Sequence, residues 1–118
     1  MNKKISVASF DAGGAYFLSY YLKYNKMKFK SYIAGPALNI YKSIFKSLKN
    51  SKKEFFDSDV IISSTGSTNF EKKIIKESKI KKIYTIAILD HWVNYVNRFK
   101  LKNTTYIPDE IWVFDIYA

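Results

Sequence analysis

The segment Asp90-His91-Trp92 combines the residue types best suited to acid–base chemistry at neutral pH. His91 is the only histidine among the 118 residues, and the carboxylate of Asp90 stands beside it. An imidazole titrates near neutrality, so His91 is a candidate general base. Asn94 and Arg98 follow at helical spacing, where an amide and a guanidinium suit recognition of a polyol or a phosphate. The pattern predicts a ligand site, with a structural histidine as the alternative.

A second candidate is Asp11-Ala12-Gly13-Gly14, which follows an apolar run. Gly13 and Gly14 let the backbone approach a ligand, and the amides at a helix start favour an anion. The carboxylate of Asp11 can accept a proton from a hydroxyl group. The spacing matches neither a dinucleotide fingerprint nor a phosphate-binding loop, so a tight strand-to-helix turn is the alternative.

The third candidate is a run of hydroxyl side chains from Ser63 to Thr68, interrupted by Gly66. Thr68 and Glu71 have the spacing of a capping box, which needs only one of these hydroxyls. The surplus hydroxyls can hydrogen-bond a sugar or a phosphate, and we place the substrate contacts at Thr65, Gly66 and Ser67. An ordinary polar turn is the alternative. A single histidine and no cysteine leave too few zinc ligands, so we expect no metal and no cofactor.

Each candidate segment follows a run with strand character and precedes a run with helical spacing. The strand runs are Lys4 to Phe10, Lys30 to Ala34, Asp59 to Ser63, Lys82 to Leu89 and Glu110 to Phe114. This alternation predicts an α/β fold, a three-layer Rossmann-like domain with a mostly parallel sheet of about five strands. Ligands bind at the carboxyl ends of such strands, so the three candidate segments should meet at one edge of the sheet.

The composition fits a single domain spanning residues 1–118. Apolar residues make up 47% of the chain, which excludes a disordered class. No apolar run is long enough for a membrane-spanning helix, and the N-terminus does not form a signal peptide because Asp11 interrupts its apolar region. Without cysteines the disulfide-rich class is also excluded. We expect a cytoplasmic protein.

The net charge of +10 is unevenly distributed, with nine lysines and no acidic residue between Asp11 and Glu54. Such a surface attracts phosphates or an anionic membrane face, although a solvated lysine surface is the alternative. Arg98 is the only arginine. Because nucleic-acid readers favour arginine, we do not expect nucleic acid as a partner.

The chain resembles the N-terminal half of a bacterial surface-polysaccharide glycosyltransferase with two Rossmann-like domains, known as the GT-B architecture. The resembling stretches extend over nearly the whole chain: Ser9-Phe10-Asp11-Ala12-Gly13-Gly14, Gly35-Pro36-Ala37, Asp59 to Gly66, Leu89-Asp90-His91-Trp92-Val93-Asn94-Tyr95 and Pro108-Asp109-Glu110-Ile111-Trp112-Val113. The Asp-His-Trp and Pro-Asp-Glu-Ile-Trp segments are the most distinctive.

This resemblance implies a domain that binds a glycan or lipid-linked acceptor, with Asp11 or His91 as acceptor base and Gly13 and Gly14 near the donor phosphates. A second domain would bind the nucleotide-sugar donor, so we expect the chain alone to lack full transferase activity. We also expect peripheral contact with the inner membrane face. The sequence predicts no helix over the last strand, so the chain is either part of a larger architecture or self-associates. The alternative function is a stand-alone α/β module that binds a nucleotide or a phosphorylated metabolite.

Overall fold

A computed structural model describes residues 3–66, 69–89 and 99–113. Two short strands, β5 (Lys100–Leu101) and β6 (Thr104–Thr105), form an antiparallel hairpin. The other strands form one parallel sheet in the order β2-β1-β3-β4-β7, and they are β1 (Ile5–Ser9), β2 (Lys30–Ile33), β3 (Val60–Ser64), β4 (Tyr84–Leu89) and β7 (Glu110–Val113). The predicted α/β fold is confirmed.

Helices cover both faces of this sheet. They are α1 (Ala12–Tyr24), α2 (Pro36–Ile44), α3 (Lys52–Phe55) and α4 (Asn69–Ile80). Successive strand residues point to opposite faces, so Val7 and Ala8 enter different cores. Val7 packs with Leu18 of α1 and Tyr41 of α2, whereas Ala8 packs with Ile74 of α4. The result is the three-layer, Rossmann-like arrangement.

Helical spacing predicts the first helix from Ala15 to Tyr24, but α1 begins three residues earlier, at Ala12. Gly13 and Gly14 therefore lie in its first turn, and Asp11 is the extended residue that precedes it. A Cβ atom at Gly14 would lie 2.7 Å from Cβ of Ser64, so glycine allows α1 to approach β3 closely. Packing outweighs the low helix propensity of glycine here.

The low hydrophobicity of Lys49 to Lys53 predicts a surface loop, but the structure places part of a helix and a strand contact there. Asn50 forms a parallel bridge with Ser31, and α3 begins at Lys52. The Asn50 side chain accepts a hydrogen bond from the N–H of Ile33 at 2.9 Å and donates one to its carbonyl at 2.7 Å. Asn50 thus acts as a one-residue strand outside β2, which gives the strand order of a classical doubly wound sheet.

Phe99 is the one residue of the predicted helix after β4 that the structure describes. The spacing of Trp92, Tyr95, Val96 and Phe99 predicts an apolar helix face, and Phe99 is indeed buried beside Ile75 and Ala87. Within the described residues, no helix combines the length and the apolar character needed to cross a bilayer.

Candidate functional site

The candidate site lies where the strand order reverses, between β1 and β3. From β1 the chain crosses to β2 on one side, and from β3 it crosses to β4 on the other. The two strands pair in parallel, with Ala8 opposite Ser63. Their carboxyl ends therefore lie side by side, and the connections that leave them diverge. Doubly wound sheets bind ligands in the crevice formed at this point.

Asp11 lies at the mouth of this crevice and is half-buried. Its side chain makes no capping hydrogen bond to the first turn of α1. It lies against Gly66 instead, since a Cβ atom there would come within 1.6 Å of Oδ2 of Asp11. A side chain at position 66 would displace this carboxylate. Gly66 is therefore the residue that lets Asp11 reach across from β1 to β3.

Glu71 of α4 forms the floor of the crevice, and only 1% of its surface is exposed. Its Oε2 accepts a hydrogen bond from the Phe10 N–H at 3.0 Å and another from the Ser64 hydroxyl. Its Oε1 has no hydrogen-bond partner among the described residues. The carboxyl group thus ties the end of β1 to the end of β3.

The environment of Glu71 raises its pKa to about 7. Burial is the largest cause, because it disfavours the charged carboxylate. The hydrogen bonds from Ser64 and from the Phe10 N–H lower the pKa, and the negative charge of Asp11 raises it. Glu71 therefore exchanges its proton near neutral pH, directly beneath the loop that carries Asp11.

The hydroxyl groups of Ser9 and Tyr41 lie in the core next to Ser64 and Glu71. The Ser9 and Ser64 hydroxyl oxygens are 2.6 Å apart, and both side chains are buried. Tyr41 from α2 is also fully buried, and this burial raises the pKa of its phenol, whereas its interaction with Ser9 lowers it. We call Ser9, Tyr41, Ser64 and Glu71 the buried polar cluster. Its hydrogen bonds join β1, β3 and α4, and Tyr41 adds a buried hydroxyl from α2 that has no hydrogen-bond partner among the described residues.

The loop after β1 is held from the other side by the loop after β2. The Ala37 N–H donates to the Phe10 carbonyl at 2.9 Å. Gly35 has a φ of +58°, and a Cβ atom there would lie 2.6 Å from the Phe10 ring, so a glycine is required. On its other side the Phe10 ring packs on Phe70, with centroids 5.4 Å apart. Asp11 thus extends from a rigid loop.

Several of the predicted site residues make hydrogen bonds or packing contacts that hold the fold together. Thr65 is buried, and its hydroxyl donates to the Ile88 carbonyl at 2.8 Å, which ties the end of β3 to β4. Gly14 allows the close contact between α1 and Ser64. Asp11 and Gly66 meet at the crevice, and Gly13 lies in the neighbouring first turn of α1. Ligand binding by these residues stays a prediction.

The remaining predicted residues lie outside the part of the chain that the structure describes. They are Ser67, Asp90, His91, Asn94 and Arg98, together with Thr68 of the predicted capping box. Leu89, the last described residue before Asp90, ends β4 beside β3.

Glu71 is the site residue that motif reasoning missed. Its spacing from Thr68 suggested a helix cap, yet its side chain bonds to β1 and β3. The signal was present in the sequence, because Glu71 occupies the apolar stripe of α4 together with Ile74, Ile75 and Ser78, all buried. An acid within a buried stripe indicates a carboxyl group held in the interior.

In residues 3–66, 69–89 and 99–113, no group of three or more acidic or histidine side chains could hold a metal ion. No protein-family model, curated protein or solved structure matches this chain.

Proposed function

We propose that the crevice between β1 and β3 binds the acceptor of a glycosyltransferase-like protein of surface polysaccharide biosynthesis. The observation that carries this proposal is the carboxylate of Asp11, which lies at the mouth of the crevice against Gly66. A half-buried carboxylate accepts hydrogen bonds from the hydroxyl groups of a sugar. It is also placed to take a proton from the hydroxyl that would attack a donor.

The chemistry of the crevice favours a neutral polyol over a phosphate. Its described side chains are Ser9, Asp11, Ser64, Thr65 and Glu71, and none of these five carries a positive charge. An ionised Asp11 would repel a phosphate, and the ionised fraction of Glu71 would add to that repulsion. The Asp11 carboxylate, the partly exposed group of the five, can accept hydrogen bonds from sugar hydroxyls without a charge penalty.

Glu71 supports this function as a positioning residue. It binds the Phe10 N–H, one residue before Asp11, and the Ser64 hydroxyl beneath Gly66. It therefore fixes the separation of the two loops that form the crevice. Transfer itself would require a nucleotide-sugar donor held by a second domain, with Asp11 or His91 as the base and Asp90 beside His91. In this proposal the protein acts in the cytoplasm on a glycan or a lipid-linked acceptor.

A stand-alone module that binds a nucleotide or a phosphorylated metabolite is the second candidate. It is favoured by the first turn of α1, which contains no acidic residue and no side-chain cap. The backbone N–H groups at a helix start attract anions. The two candidates differ in what Asp11 does, since it would bind a sugar and repel a phosphate.

Ligand-observed NMR on the isolated chain separates the two candidates. The probes are glucose, galactose, N-acetylglucosamine and lactose on one side, and uridine monophosphate and inorganic phosphate on the other. We expect saturation transfer to at least one sugar, and its loss in Asp11→Asn. The matched control is Asp109→Asn, which removes a carboxylate at the opposite edge of the sheet and should leave sugar binding unchanged. Binding of the phosphate probes alone, strengthened by Asp11→Asn, would replace the glycan proposal with the second candidate.

A further inference from the structure

Helix α1 is apolar on its outer side as well as on its buried side. Leu18 and Leu22 are fully buried against the sheet, whereas Tyr16, Tyr20 and Tyr24 are 52%, 60% and 87% exposed. Their four-residue spacing places these tyrosines on one stripe of the helix. A helix that is apolar all round is normally covered on every side. The outer stripe of α1 is therefore a surface suited to contact with another body.

Two more aromatic rings widen this stripe. Phe17 and Tyr21 line a shallow groove of about 560 Å³ together with the three tyrosines and Asn25. The Tyr21 ring also packs edge-on against Trp112 of β7, with centroids 5.3 Å apart. We call Tyr16, Phe17, Tyr20, Tyr21 and Tyr24 the aromatic face. Such an extended exposed aromatic surface marks an interaction site.

Lysines flank the C-terminal end of the aromatic face. Lys23 lies on α1 itself, and the exposed Lys26 and Lys28 follow in the turn to β2. A neighbouring groove is lined by Lys23, Lys28, Lys46 and Lys49. The nearest acids in the sequence are Asp11 and Glu54, so no acidic residue of this segment offsets these charges. The surface at the C-terminal end of the aromatic face is thus cationic, while Glu110, which accepts a hydrogen bond from Nε1 of Trp112, lies on its β7 side.

We propose that the aromatic face docks on an anionic lipid bilayer, with α1 lying flat in the headgroup region. Tyrosine is enriched at this depth because its ring is apolar and its hydroxyl remains hydrated. Lysines beside the rings attract anionic headgroups. A second copy of the chain is a poorer occupant, because each copy carries a net charge of +10 and the two would repel.

This docking also orients the crevice. Helix α1 starts directly after Asp11, and Tyr16 lies little more than one turn further along. A chain docked through the aromatic face therefore holds the mouth of the crevice close to the headgroups. The proposal does not rest on glycan binding, because any ligand of the crevice would be presented in the same way.

Sedimentation with lipid vesicles tests the proposal on the isolated chain. We expect binding to vesicles of phosphatidylglycerol and phosphatidylcholine, and little binding to phosphatidylcholine alone. Lys26→Gln with Lys28→Gln should weaken binding roughly fivefold for each lysine removed. Tyr20→Gln with Tyr24→Gln should weaken it about tenfold, because apolar area is lost without any change in charge.

The control replaces the same number of lysines on the helices of the opposite face, Lys53→Gln with Lys73→Gln. It should bind almost as well as the unmodified chain, and melting curves should show that every variant folds. Equal loss in the control would mean that net charge alone acts and would overturn the proposal. So would unchanged binding in the tyrosine variant, or a dimer in sedimentation velocity that the tyrosine variant abolishes.

Discussion

Each edge of the sheet has a carboxyl group that hydrogen-bonds to the strands around it. The surroundings of these two carboxyl groups shift their pKa values in opposite directions. At the carboxyl edge, Glu71 is buried with no cationic partner in the part of the chain that the structure describes, and burial raises its pKa to about 7. At the amino edge, burial tends to raise the pKa of Asp109. The hydrogen bonds from Lys79 and from the Thr85 N–H lower it by more, so the pKa of Asp109 is below its ordinary value. The carboxyl group at the amino edge is paired and stays ionised, whereas Glu71 at the carboxyl edge keeps its proton up to about neutral pH.

The contacts of Asp109 show what a purely structural carboxylate looks like in this fold. Its Oδ1 pairs with Lys79 at 2.8 Å, and its Oδ2 accepts the Thr85 N–H at 2.7 Å. Its own N–H donates to the Thr85 carbonyl at 2.8 Å, so β7 is clamped to β4. The distinctive Pro108-Asp109-Glu110 segment therefore lies at the edge opposite the crevice and supports the sheet.

The largest expected effect comes from Glu71→Gln. The unfolded chain should release the Glu71 proton near pH 4.5, but the folded chain keeps it until about pH 7. The stability of the unmodified chain should therefore fall as the pH rises between these values, by about 3 kcal/mol, and level off above them. Glutamine cannot ionise, so the variant should not show this loss of stability with rising pH. Urea unfolding at several pH values measures it.

In the same experiment, the stability of Asp109→Asn should fall between about pH 4.5 and 7 as it does in the unmodified chain. A flat profile for the unmodified chain between about pH 4.5 and 7 would contradict the environment assigned to Glu71.

Gly14→Ala should destabilise the carboxyl edge by about 1–2 kcal/mol, even though alanine normally stabilises a helix interior. The reason is the new Cβ atom, which would lie 2.7 Å from Cβ of Ser64. Thermal melts measure the change. A double-mutant cycle with Ser64→Gly checks the cause, because the alanine should be less harmful once the Ser64 side chain is gone. A stabilised Gly14→Ala variant would show that α1 is not pressed against β3.

Asp109→Asn should have a smaller effect, at most about 1 kcal/mol at neutral pH, because the Lys79 pair is partly exposed. The pKa of Asp109 is lowered in the folded chain, so its contribution is present above about pH 4 and is lost as the pH falls below that value. The variant should therefore lose less stability on acidification than the unmodified chain. If acid unfolding followed by circular dichroism is the same in the variant and the unmodified chain, Asp109 does not stabilise the contact between β7 and β4.

Gly66→Ala should have the smallest effect on stability and a large effect on the crevice. The clash would be with the Asp11 carboxyl group, which can rotate away, so we expect less than about 1 kcal/mol of destabilisation. Any sugar bound through Asp11 should be lost. Ligand-observed NMR with the sugar probes measures this loss, and Asp11→Asn provides the comparison. Retained binding would show that the position of Asp11 is not what the ligand requires.

Local patterns predicted the sheet well, because buried parallel strands are uninterrupted apolar runs. Val60–Ser64 and Tyr84–Leu89 lie where the runs of Val, Ile and Leu indicated. The start of α1 was wrong because glycine disfavours helix locally, while the contact between Gly14 and Ser64 is made far along the chain. Asn50 was missed for the same reason, since its partner is Ile33 of a strand formed earlier in the chain.

The location of the candidate site could be predicted from the sequence, but not all of the residues that form it. Parallel topology alone brings Asp11 and Gly66 to one edge, and the structure places them in contact. Glu71 could not be assigned from its spacing, because a helix cap and a buried stripe fit the same position. Only the fold shows that its carboxyl group reaches Phe10 and Ser64.

The most direct test of the central claim is a map of backbone amide shifts during titration with the sugar that binds best. The account predicts that the amides of Asp11, Gly13 and Gly66 shift together, while those of Thr85 and Asp109 stay in place. Shifts centred on the Thr85–Asp109 edge, with the crevice amides unmoved, would contradict it.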